Sequence, residues 1–450
     1  MKTVIRPETE MKDSGIEWIG VIPKEWSIIK GKYIYFVQAG YPFNSEYFSL
    51  IKGMPLIRIR DITSGKCETY FDGDYLDEYV VNNTDLLIGM DGDFNVRWWE
   101  SGQAVLNQRC CRIIEKNNIS RKYLYYALPF GLKELNDLTY FTTVKHLSNN
   151  GILNLNFPFP PLSEQQAIAN YLDETCSKID EIIAEAKASI DEYKELKQAA
   201  IFEAVTKGLD KNVEMKDSGV EWMGVIPSKW SVVRFMKVNY VRARLGWKGL
   251  KAEEYVDAGY PFLAAYHIVN SHLCWENMNC ITQERYEESP EIKLSIGDLV
   301  LVKDGAGIGK CARIDDMPLG EATVNSSLSV ITPNELLDYR YEYYYFMSPL
   351  FQNIIARLKN GMGVPHLTQE SMKDIYLPLP SKKEQKAIAD YLDNKVVELD
   401  SLIAEKESLI NDLEAYKKSL IYEVVTGKRK VVYNLWLKMR NNLNPTLKPF

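Results

Sequence analysis

The sequence lacks most features that would mark a secreted, membrane or disulfide-bonded protein. Its 7 cysteines form no Cys-x-x-Cys pair, and only 4 histidines are present in 450 residues. An odd number of cysteines without such pairs favours reduced thiols over a disulfide framework. No uninterrupted apolar run approaches the roughly 18 residues that a membrane-spanning helix needs. The composition therefore excludes a membrane protein and predicts a cytoplasmic location.

Catalytic and cofactor-binding motifs are also missing. The Gly-rich run at 304–311 begins with Asp304 and ends with Cys311, where a phosphate-binding loop needs glycine and serine or threonine. As a GxGxxG dinucleotide loop it fails too, because Lys310 takes the place of the third glycine. The Asn/Asp-Pro-Pro-aromatic tetrad of amino-methyltransferases is absent. The Glu-x-Lys sequences at 185–187 and 192–194 fall on a predicted helix rather than in a nuclease cluster. We therefore predict no catalytic residue.

One cluster of histidines and cysteines in the second half of the chain could be considered as a zinc site. His267, His272, Cys274 and Cys280 fall close together, but their spacing is loose for zinc. The aligned positions of the first half of the chain hold Asp61, Lys66, Glu68 and Asp74. A structural metal of a shared fold would recur in both halves, so we predict partly buried strand residues and no metal.

Positive charge is not in excess either. The 54 lysines and arginines against 61 aspartates and glutamates give a net charge of -7. Residues 163–208 hold 5 basic against 10 acidic groups, and residues 381–427 hold 7 against 10. These two segments carry the acidic excess, so a surface that binds an anionic partner such as nucleic acid has to be local.

What the sequence does contain is a tandem duplication. MKDSGIEWIGVIPKEW at 11–26 returns as MKDSGVEWMGVIPSKW at 215–230, and EQQAIANYLD at 164–173 returns as EQKAIADYLD at 384–393. The inserts between them share only short echoes, such as Asp85 with Asp298 and His146-Leu147 with His366-Leu367. Runs at 55–62, 84–90, 297–302 and 322–332 predict strands, and 122–128 and 339–358 predict helices. We expect the two inserts to share one α/β fold.

A long helix is predicted to follow each insert. Its apolar positions alternate by four and three, which is the spacing of a coiled-coil seam. A helix of about 45 residues spans roughly 65 Å, so we expect the two helices to pair with each other. The predicted seams are Ile168, Leu172, Thr175, Ile179, Ile182, Ala186, Ser189, Tyr193, Leu196 and Ala200 in the first helix, and Ile388, Leu392, Lys395, Leu399, Leu402, Lys406, Leu409, Leu413, Tyr416 and Leu420 in the second. From these seams we predict as subunit-interface residues Ile168, Leu172, Ile179, Ile182, Leu392, Leu399, Leu402 and Leu409.

The predicted fold class is α+β, with two α/β recognition domains joined by two long antiparallel coiled-coil helices in a pseudo-twofold arrangement. The predicted segments are an opening segment at 1–26, a first domain at 27–160, a central helix at 161–210, the repeated opening segment at 211–230, a second domain at 231–380, a C-terminal helix at 381–427 and a basic tail at 428–450.

The inserts carry donors and acceptors that could bind base edges, interleaved with aromatic residues. In the first insert the candidates are Arg58, Arg60, Asp91, Asn95, Arg97, Trp98, Asn107, Gln108 and Arg109. In the second they are Arg242, Arg244, Lys248, Lys303, Asp304, Lys310, Asn325 and Ser326. Alternation along a strand would let only some of residues 107–109 face a ligand. Arg97, on the preceding loop, is the better single candidate.

With these motifs together, the chain resembles the specificity subunit of type I restriction-modification systems. The signatures are the paired Asp-Ser-Gly-x-Glu-Trp-x-Gly-x-Ile-Pro-x-x-Trp segments and the two Glu-Gln-x-Ala-Ile-Ala-x-Tyr-Leu-Asp helix starts, which cover the chain from Met11 to Thr426. The resemblance implies that each recognition domain reads half of a split double-stranded DNA target and that the helices dock two modification subunits. S-adenosylmethionine, ATP and Mg would then belong to the modification and restriction subunits, with no cofactor in this chain.

Two other interpretations and one departure from the family stay open. An autonomous DNA-modifying enzyme would need a cofactor or metal site that the sequence does not offer. A duplicated scaffold that binds only proteins would fit the acidic helices but not the two divergent inserts. The tail from Lys428 onward has six basic and no acidic residues. It would serve either as an arm for phosphate or as a poorly ordered extension.

Overall fold

The chain divides into two compact units that each combine distant parts of the sequence. The computed structural model describes residues 1–138, 146–244, 252–305, 307–359, 367–368 and 372–432. Unit 1 comprises Met1–Glu185 with Leu409–Phe450, and unit 2 comprises Ala186–Ser408. Each unit therefore contains one insert and parts of both long helices.

Unit 1 is built from short strands with a few helices. Its strands up to the central helix are β1 (Lys2–Ile5), β2 (Met11–Asp13), β3 (Val21–Pro23), β4 (Ser27–Lys30), β5 (Tyr35–Ala39), β6 (Phe48–Ser49), β7 (Met54–Ile57), β8 (Tyr70–Phe71), β9 (Val80–Val81), β10 (Leu86–Gly89), β11 (Val96–Trp98), β12 (Ala104–Leu106), β13 (Cys110–Glu115) and β14 (Asn156–Phe159). The helices are α1 (Gly31–Ile34), α2 (Ile59–Ser64), α3 (Arg121–Leu138), α4 (Asn149–Leu153) and the start of α5 (Leu162–Lys207).

Two sheets form the insert of unit 1. One has the strand order β11-β10-β13-β5, with antiparallel neighbours throughout. The other has the order β6-β8-β7-β12-β9, in which β7 and β12 run parallel. All four residues of β10 are buried, as expected of a central strand covered on both faces.

Unit 2 repeats this inventory. Its strands are β15 (Met215–Asp217), β16 (Val225–Pro227), β17 (Ser231–Arg234), β18 (Asn239–Arg242), β19 (Tyr260–Leu263), β20 (Ile268–Val269), β21 (His272–Leu273), β22 (Cys280–Ile281), β23 (Leu299–Val302), β24 (Cys311–Arg313), β25 (Thr323–Val324), β26 (Leu328–Pro333) and β27 (Tyr376–Leu379). Its helices are α6 (Phe235–Val238), α7 (Gln283–Glu287), α8 (Tyr339–Met347), α9 (Pro349–Lys359) and the start of α10 (Lys382–Val425). Beyond α10, strand β28 (Arg429–Val432) returns to unit 1.

The sheets of unit 2 repeat the central strand order of the sheets of unit 1, although the smaller sheet has three described strands where that of unit 1 has five. The larger has the order β18-β26-β23-β24, and the smaller has the order β22-β19-β25, with β19 and β25 parallel. These orders match β5-β13-β10-β11 and β8-β7-β12 strand for strand. The prediction that the two inserts share one fold is confirmed.

Within each unit, the parts of α5 and α10 run antiparallel. In unit 1, Lys417 Nζ lies 2.6 Å from Asp180 Oδ1, and the last two turns of α10 contribute Leu420 and Val424 to the core that holds Leu172. In unit 2, Lys197 Nζ lies 2.6 Å from Asp400 Oδ1. There the end of α5 (Ile201) shares a core with Ile388, near the start of α10. The two long antiparallel helices of the predicted fold class are confirmed.

The seam between the helices is buried, but part of its predicted register is wrong. Ile168, Leu172, Ile179, Leu392 and Leu399 are buried as predicted, whereas Ile182 is 44% and Leu409 is 39% exposed and Leu402 is only partly buried. Their neighbours Ile183, Ile403 and Ile410 are buried instead. The pairs 182–183, 402–403 and 409–410 are apolar at both positions, so the alternation by four and three fits two registers equally well.

Three further local predictions are corrected. Strand β7 stops at Ile57, and helix α2, not a strand, covers 59–64 because the carboxylate of Asp61 caps its first turn by accepting the Arg58 amide at 2.8 Å. The helix predicted at 339–358 is divided at Ser348, since Pro349 disfavours a helical conformation at the residue before it. The tail begins as strand β28, which pairs antiparallel with β1; residues 433–450 lie outside the described residues.

Candidate nucleic-acid interface

In unit 1, four chain segments meet at one edge of the insert, where β7, β10 and β12 end. Backbone hydrogen bonds join them, from Asn107 N to Ile57 O at 3.1 Å, from Met90 N to Arg109 O at 2.9 Å and from Leu147 N to Met90 O at 2.7 Å. The side chains that follow these strand ends are therefore held side by side. We call this surface the first edge and define it by Arg58, Asp91, Asn107, Gln108, Arg109 and His146.

Exposed hydrogen-bond donors dominate the first edge. The side chains of Arg109 and His146 are 55% and 51% exposed, and Arg58 and Gln108 are exposed as well. The neighbouring Arg60 is also exposed, although its Nη2 donates to Thr69 Oγ1 at 2.9 Å. Such a surface offers nucleic acid the donors that phosphates and base edges accept.

Asp91 lies between the partly exposed side chains of Arg109 and His146 and binds both. Its Oδ2 lies 3.0 Å from Arg109 Nη1, and its Oδ1 lies 2.7 Å from His146 Nδ1. Only 23% of the Asp91 side chain is exposed. Both carboxylate oxygens are thus engaged within the protein, which orients Arg109 and His146.

Arg97 and Trp98 lie on strand β11, so the prediction that Arg97 sits on a loop is wrong. The Arg97 guanidinium donates to the carbonyls of Ile62, at 2.6 Å, and Thr63, and thereby ties β11 to helix α2. The Trp98 ring packs under Lys122, whose Nζ lies 4.0 Å from the ring centroid. These contacts favour a structural role for both residues over base contact.

Residues 107–109 form the turn between β12 and β13, not a strand as predicted. Asn107 is only 8% exposed, and its Oδ1 accepts the Arg109 amide at 3.3 Å. Asn107 therefore shapes the turn, while Gln108 and Arg109 point outward. Asn95 is exposed and bonds Thr63 Oγ1 at 3.4 Å through its Nδ2.

Unit 2 builds a matching surface with different side chains. Asn325 N donates to Leu263 O at 2.8 Å, Lys303 N to Ser327 O at 2.9 Å and Leu367 N to Lys303 O at 2.9 Å. These bonds reproduce the three of the first edge position for position. We define the second edge by Lys303, Asp304, Asn325, Ser326 and Ser327.

The second edge exposes less positive charge than the first edge. The Lys303 side chain is only 15% exposed, and burial lowers the pKa of its amine. Its Nζ lies 4.0 Å from Asp304 Oδ2, and Ser326 is exposed. Lys310 is exposed in the turn before β24, where it lines a cleft of about 440 Å³ with Gln198.

The arginines predicted upstream in the second insert serve the fold. Arg242 Nη2 lies 2.8 Å from Asp298 Oδ2, and its Nη1 donates to the Lys293 carbonyl at 2.8 Å. Arg244 Nε donates to Ser289 Oγ at 3.2 Å, and burial lowers the pKa of the Arg244 guanidinium. Lys248 lies outside the described residues.

Three pairs of residues that were not predicted as functional fix each insert to its helices. The first pair is Gln165 and Gln385, which are both fully buried. Gln165 accepts from Ser120 N at 2.8 Å and donates to the carbonyls of Asn118 and Pro160 at 3.2 and 2.9 Å. Gln385 accepts from Asp338 N at 2.7 Å and donates to the carbonyls of Leu336 and Pro380 at 2.9 Å.

The second pair is Tyr123 and Tyr341. The Tyr123 hydroxyl lies 2.9 Å from the Pro158 carbonyl and 3.1 Å from the Val425 carbonyl at the end of α10. The Tyr341 hydroxyl lies 2.9 Å from the Pro378 carbonyl and 3.2 Å from the carbonyl of Val205 near the end of α5. Each tyrosine thus joins its insert to the end of a long helix.

The third pair is Asp173 and Asp393, one on each helix. Asp173 receives the Tyr126 hydroxyl at 2.6 Å and Lys122 Nζ at 3.3 Å. The bonds to Asp393 come from Arg313 at 2.6 Å, Arg340 at 2.9 Å and Tyr344 at 2.7 Å. Burial raises the pKa of Asp393, but these hydrogen bonds outweigh it and hold the pKa below its usual value. The only sequence signal for the glutamines and aspartates was their place in the repeated helix-start motif.

The long helices also expose apolar side chains beside their buried seam. In unit 1 these are Ile182, Leu409 and Tyr416, at 44%, 39% and 50% exposure. In unit 2 they are Leu196, Tyr391 and Val397, at 48%, 43% and 67%. We call these two sets the apolar rows. Leu409 and Tyr416 lie seven residues apart on α10 and therefore share one helix face. Neighbouring exposed apolar side chains of this kind form surfaces that protein partners cover.

Among the residues described, no group of three or more His, Cys, Asp or Glu side chains is placed to hold a metal ion. His267 of the rejected zinc set is buried and caps a short helix, because its Nδ1 accepts the Ala264 amide at 2.9 Å. Burial lowers the pKa of this imidazole. A search of the described helices finds none that is long and apolar enough to cross a membrane.

Comparisons with known proteins agree on one family. The family model described as the type I restriction modification DNA specificity domain matches residues 23–192 and 227–414. The EcoBI specificity subunit of Escherichia coli is 26% identical over 430 residues, 93% of this chain and 89% of that protein. The MjaVIII specificity subunit of Methanocaldococcus jannaschii is 25% identical over 415 residues, 91% of this chain and 94% of that protein.

A solved structure of a type I restriction-modification system contains a chain with the same fold. That chain superposes with a TM-score of 0.67 at 16% identity, covering 90% of this chain and 99% of its own length. The fold class inferred from the sequence is confirmed by this match together with the two family-model matches.

Proposed function

This chain belongs to the family of type I restriction-modification DNA specificity proteins, and from this premise we propose that each of its inserts reads one half of a split DNA sequence. It is a specificity subunit that recognises DNA, not an autonomous enzyme. The finer proposal assigns the first half-site to the first edge and the second half-site to the second edge.

The duplication of the edge carries this proposal. Three equivalent backbone hydrogen bonds build both edges, yet the exposed side chains differ, with Gln108 and Arg109 on the first edge and Ser326 on the second. A matched frame that displays different donors and acceptors is suited to reading two different short sequences. A scaffold that bound only proteins would have no use for it.

Substitutions on one edge are expected to act on one half-site only. In the methylase assembled from this chain and its modification subunits, Gln108→Ala should relax discrimination in the first half-site, at about 1 to 3 kcal/mol for each lost base contact. Ser326→Ala is the matched variant for the other half. Binding to DNAs mutated separately in each half measures this. Equal loss in both halves would show that the inserts are coupled, and no loss in either would remove the assignment.

The long helices are proposed to dock two modification subunits. They carry the acidic excess of the chain, which disfavours phosphate, and they expose the apolar rows. Buried seam residues such as Leu172 and Leu399 serve the chain's own helix pairing, so the predicted interface residues that remain available to a partner are Ile182, Leu409 and part of Leu402.

Reversing exposed helix acids should therefore disturb assembly before it alters the sequence that is read. We expect Glu181→Lys, Glu185→Lys and Glu192→Lys, combined, to weaken association with the modification subunits in sedimentation or gel filtration. Asp77→Lys, an exposed acid in the first insert, is the control and should assemble normally. Normal assembly of the triple variant with an altered DNA target would refute the docking proposal.

The remaining functions are proposed to lie on other subunits. The chain supplies recognition, while S-adenosylmethionine would be bound by the modification subunits and ATP with Mg by restriction subunits. A protein that recognises chromosomal DNA works where the chromosome lies, so we propose a cytoplasmic location.

A further inference from the structure

We propose that Arg109, held by Asp91 beside His146, reads a guanine in the first half-site, and that Asp91 is a positioning residue rather than a base contact. This inference rests on the proposed function, because it names one base that the first edge recognises. The sequence pattern predicted instead that Asp91 accepts a hydrogen bond from a base.

The arrangement of the Arg109 guanidinium leaves two of its three nitrogens available to a ligand. Only Nη1 of its guanidinium is bound to Asp91, at 3.0 Å. Neither Nη2 nor Nε has a hydrogen bond to any part of the chain that the structure describes. A guanidinium with one nitrogen anchored and its other donors exposed can bond O6 and N7 of guanine together, the commonest specific contact between proteins and DNA.

The cluster is preorganised from three separate segments of the chain. The backbone of Asp91 forms an isolated bridge with His146, and Met90 N donates to Arg109 O at 2.9 Å. The Arg109 amide is fixed in turn by Asn107 Oδ1 at 3.3 Å. These bonds already restrict the Arg109 side chain before DNA binds. The conformational entropy that it loses on binding is therefore smaller, which raises both affinity and selectivity.

Fold stability gives little reason for such a cluster. More than half of each side chain that Asp91 binds is exposed, 55% for Arg109 and 51% for His146, and exposed polar pairs of this kind contribute little to stability. The less exposed member, Asp91, lies behind the two donors. An acidic residue in that place both orients the donors and prevents them from folding back on the protein.

The second edge shows what the same frame does without arginine. Ser327 takes the place of Arg109, since its carbonyl accepts the Lys303 amide as that of Arg109 accepts the Met90 amide. The Ser327 hydroxyl turns inward and donates to Asn325 Oδ1 at 2.6 Å. The two half-sites should therefore differ at the base pair that faces this position.

The test uses the full chain assembled with its modification subunit, and it reads the methylated sequence from the host genome. Wild type should methylate a two-part motif that has a fixed guanine-cytosine pair in one half. Arg109→Ala should relax that pair alone, lowering discrimination about 10- to 100-fold there. Asp91→Asn should relax the same pair to a smaller extent.

Two further variants make the outcome decisive. Arg109→Lys keeps the charge but cannot form the two parallel bonds, so it should relax the same pair even if the alanine variant methylates poorly. Asp137→Asn breaks an exposed ion pair with Lys133 on helix α3 and should leave the motif unchanged.

An unchanged motif, or uniform weakening at every site as expected of a phosphate contact, in both Arg109 variants would overturn the inference. A wild-type half-site without a fixed guanine-cytosine pair would do so as well. If wild type yields no two-part motif at all, the proposed function fails, which is a distinguishable result.

Discussion

At the scale of single residues, the most unusual group is the carboxyl of Glu342 in unit 2. It is fully buried in helix α8, and its hydrogen bond comes from Asn239 Nδ2. Within the part of the chain that the structure describes, Asn239 Oδ1 and Glu342 Oε2 have no hydrogen-bond partner. Burial raises the pKa of Glu342 to about 8, against the lowering effect of the Asn239 bond. The folded protein therefore holds this proton at neutral pH.

This proton should make the stability of unit 2 depend on pH. An unfolded glutamate titrates near 4.3, so between that pH and about 8 the folded state binds a proton that the unfolded state releases. The free energy of unfolding then falls as pH rises through this window and levels off above it. Glu342→Gln should abolish this slope and melt several degrees higher at pH 8, because its amide NH2 can donate to Asn239 Oδ1.

Calorimetric melting at pH 5 and pH 8 measures this effect. Glu335→Gln removes an equivalent charge from an exposed loop of the same unit and should keep the wild-type slope. An identical pH dependence of the Glu342→Gln and wild-type proteins would contradict the buried, protonated state.

At the scale of elements, the junction between insert and helix is the part that the duplication preserved. The glutamines, tyrosines and aspartates that fix each insert are identical in type in both units: Gln165 and Gln385, Tyr123 and Tyr341, Asp173 and Asp393. The cations that bind the aspartates have diverged. Asp173 forms an ion pair with one lysine, Lys122, whereas Asp393 forms ion pairs with two arginines, Arg313 and Arg340.

Removing one buried glutamine should destabilise one unit. Gln165→Leu deletes three hydrogen bonds and leaves backbone groups buried without partners, at roughly 3 kcal/mol in total. Gln166→Leu changes the exposed neighbour on the same helix and is the control. Hydrogen exchange should accelerate in the first insert of Gln165→Leu and stay unchanged in the second. Equal hydrogen-exchange rates in the two variants would show that the hydrogen bonds of the buried Gln165 amide do not stabilise the first insert.

The sequence predicted these elements better than it predicted their detailed register. Duplicated motifs and apolar periodicity located both long helices, because each pattern extends over many turns. The choice between Leu402 and Ile403, or between Leu409 and Ile410, depended on packing across the helix pair, which no local pattern records. The predicted seam residues that face outward in the structure, Ile182 and Leu409, are those that we now assign to contact with a partner protein.

The edges were harder to predict because their residues converge from distant segments. Arg97 and Arg109 are the same residue type twelve positions apart, yet Arg97 donates to backbone carbonyls of helix α2 and Arg109 faces outward. Similarly, Asp61 and His267 cap equivalent short helices by accepting a backbone amide, although one is a carboxylate and the other an imidazole. Only the three-dimensional contacts distinguish a residue that shapes the edge from one that is displayed on it.

At the scale of the whole molecule, duplication explains how one chain can recognise a two-part sequence. Each unit has its own core, its own pair of sheets and its own edge. Because the inserts diverged while the frame was retained, either edge can change its target without loss of the helices. Recognition should therefore be divided into two short, separately variable halves.

The most direct test of this account is to sequence the methylated bases in the genome of a host that expresses this chain with its modification subunit. We predict one motif of two short defined halves separated by a spacer of fixed length and undefined sequence, with substitutions on the first edge changing one half only. A single uninterrupted motif, or a motif in which a first-edge substitution changes both halves, would contradict the account.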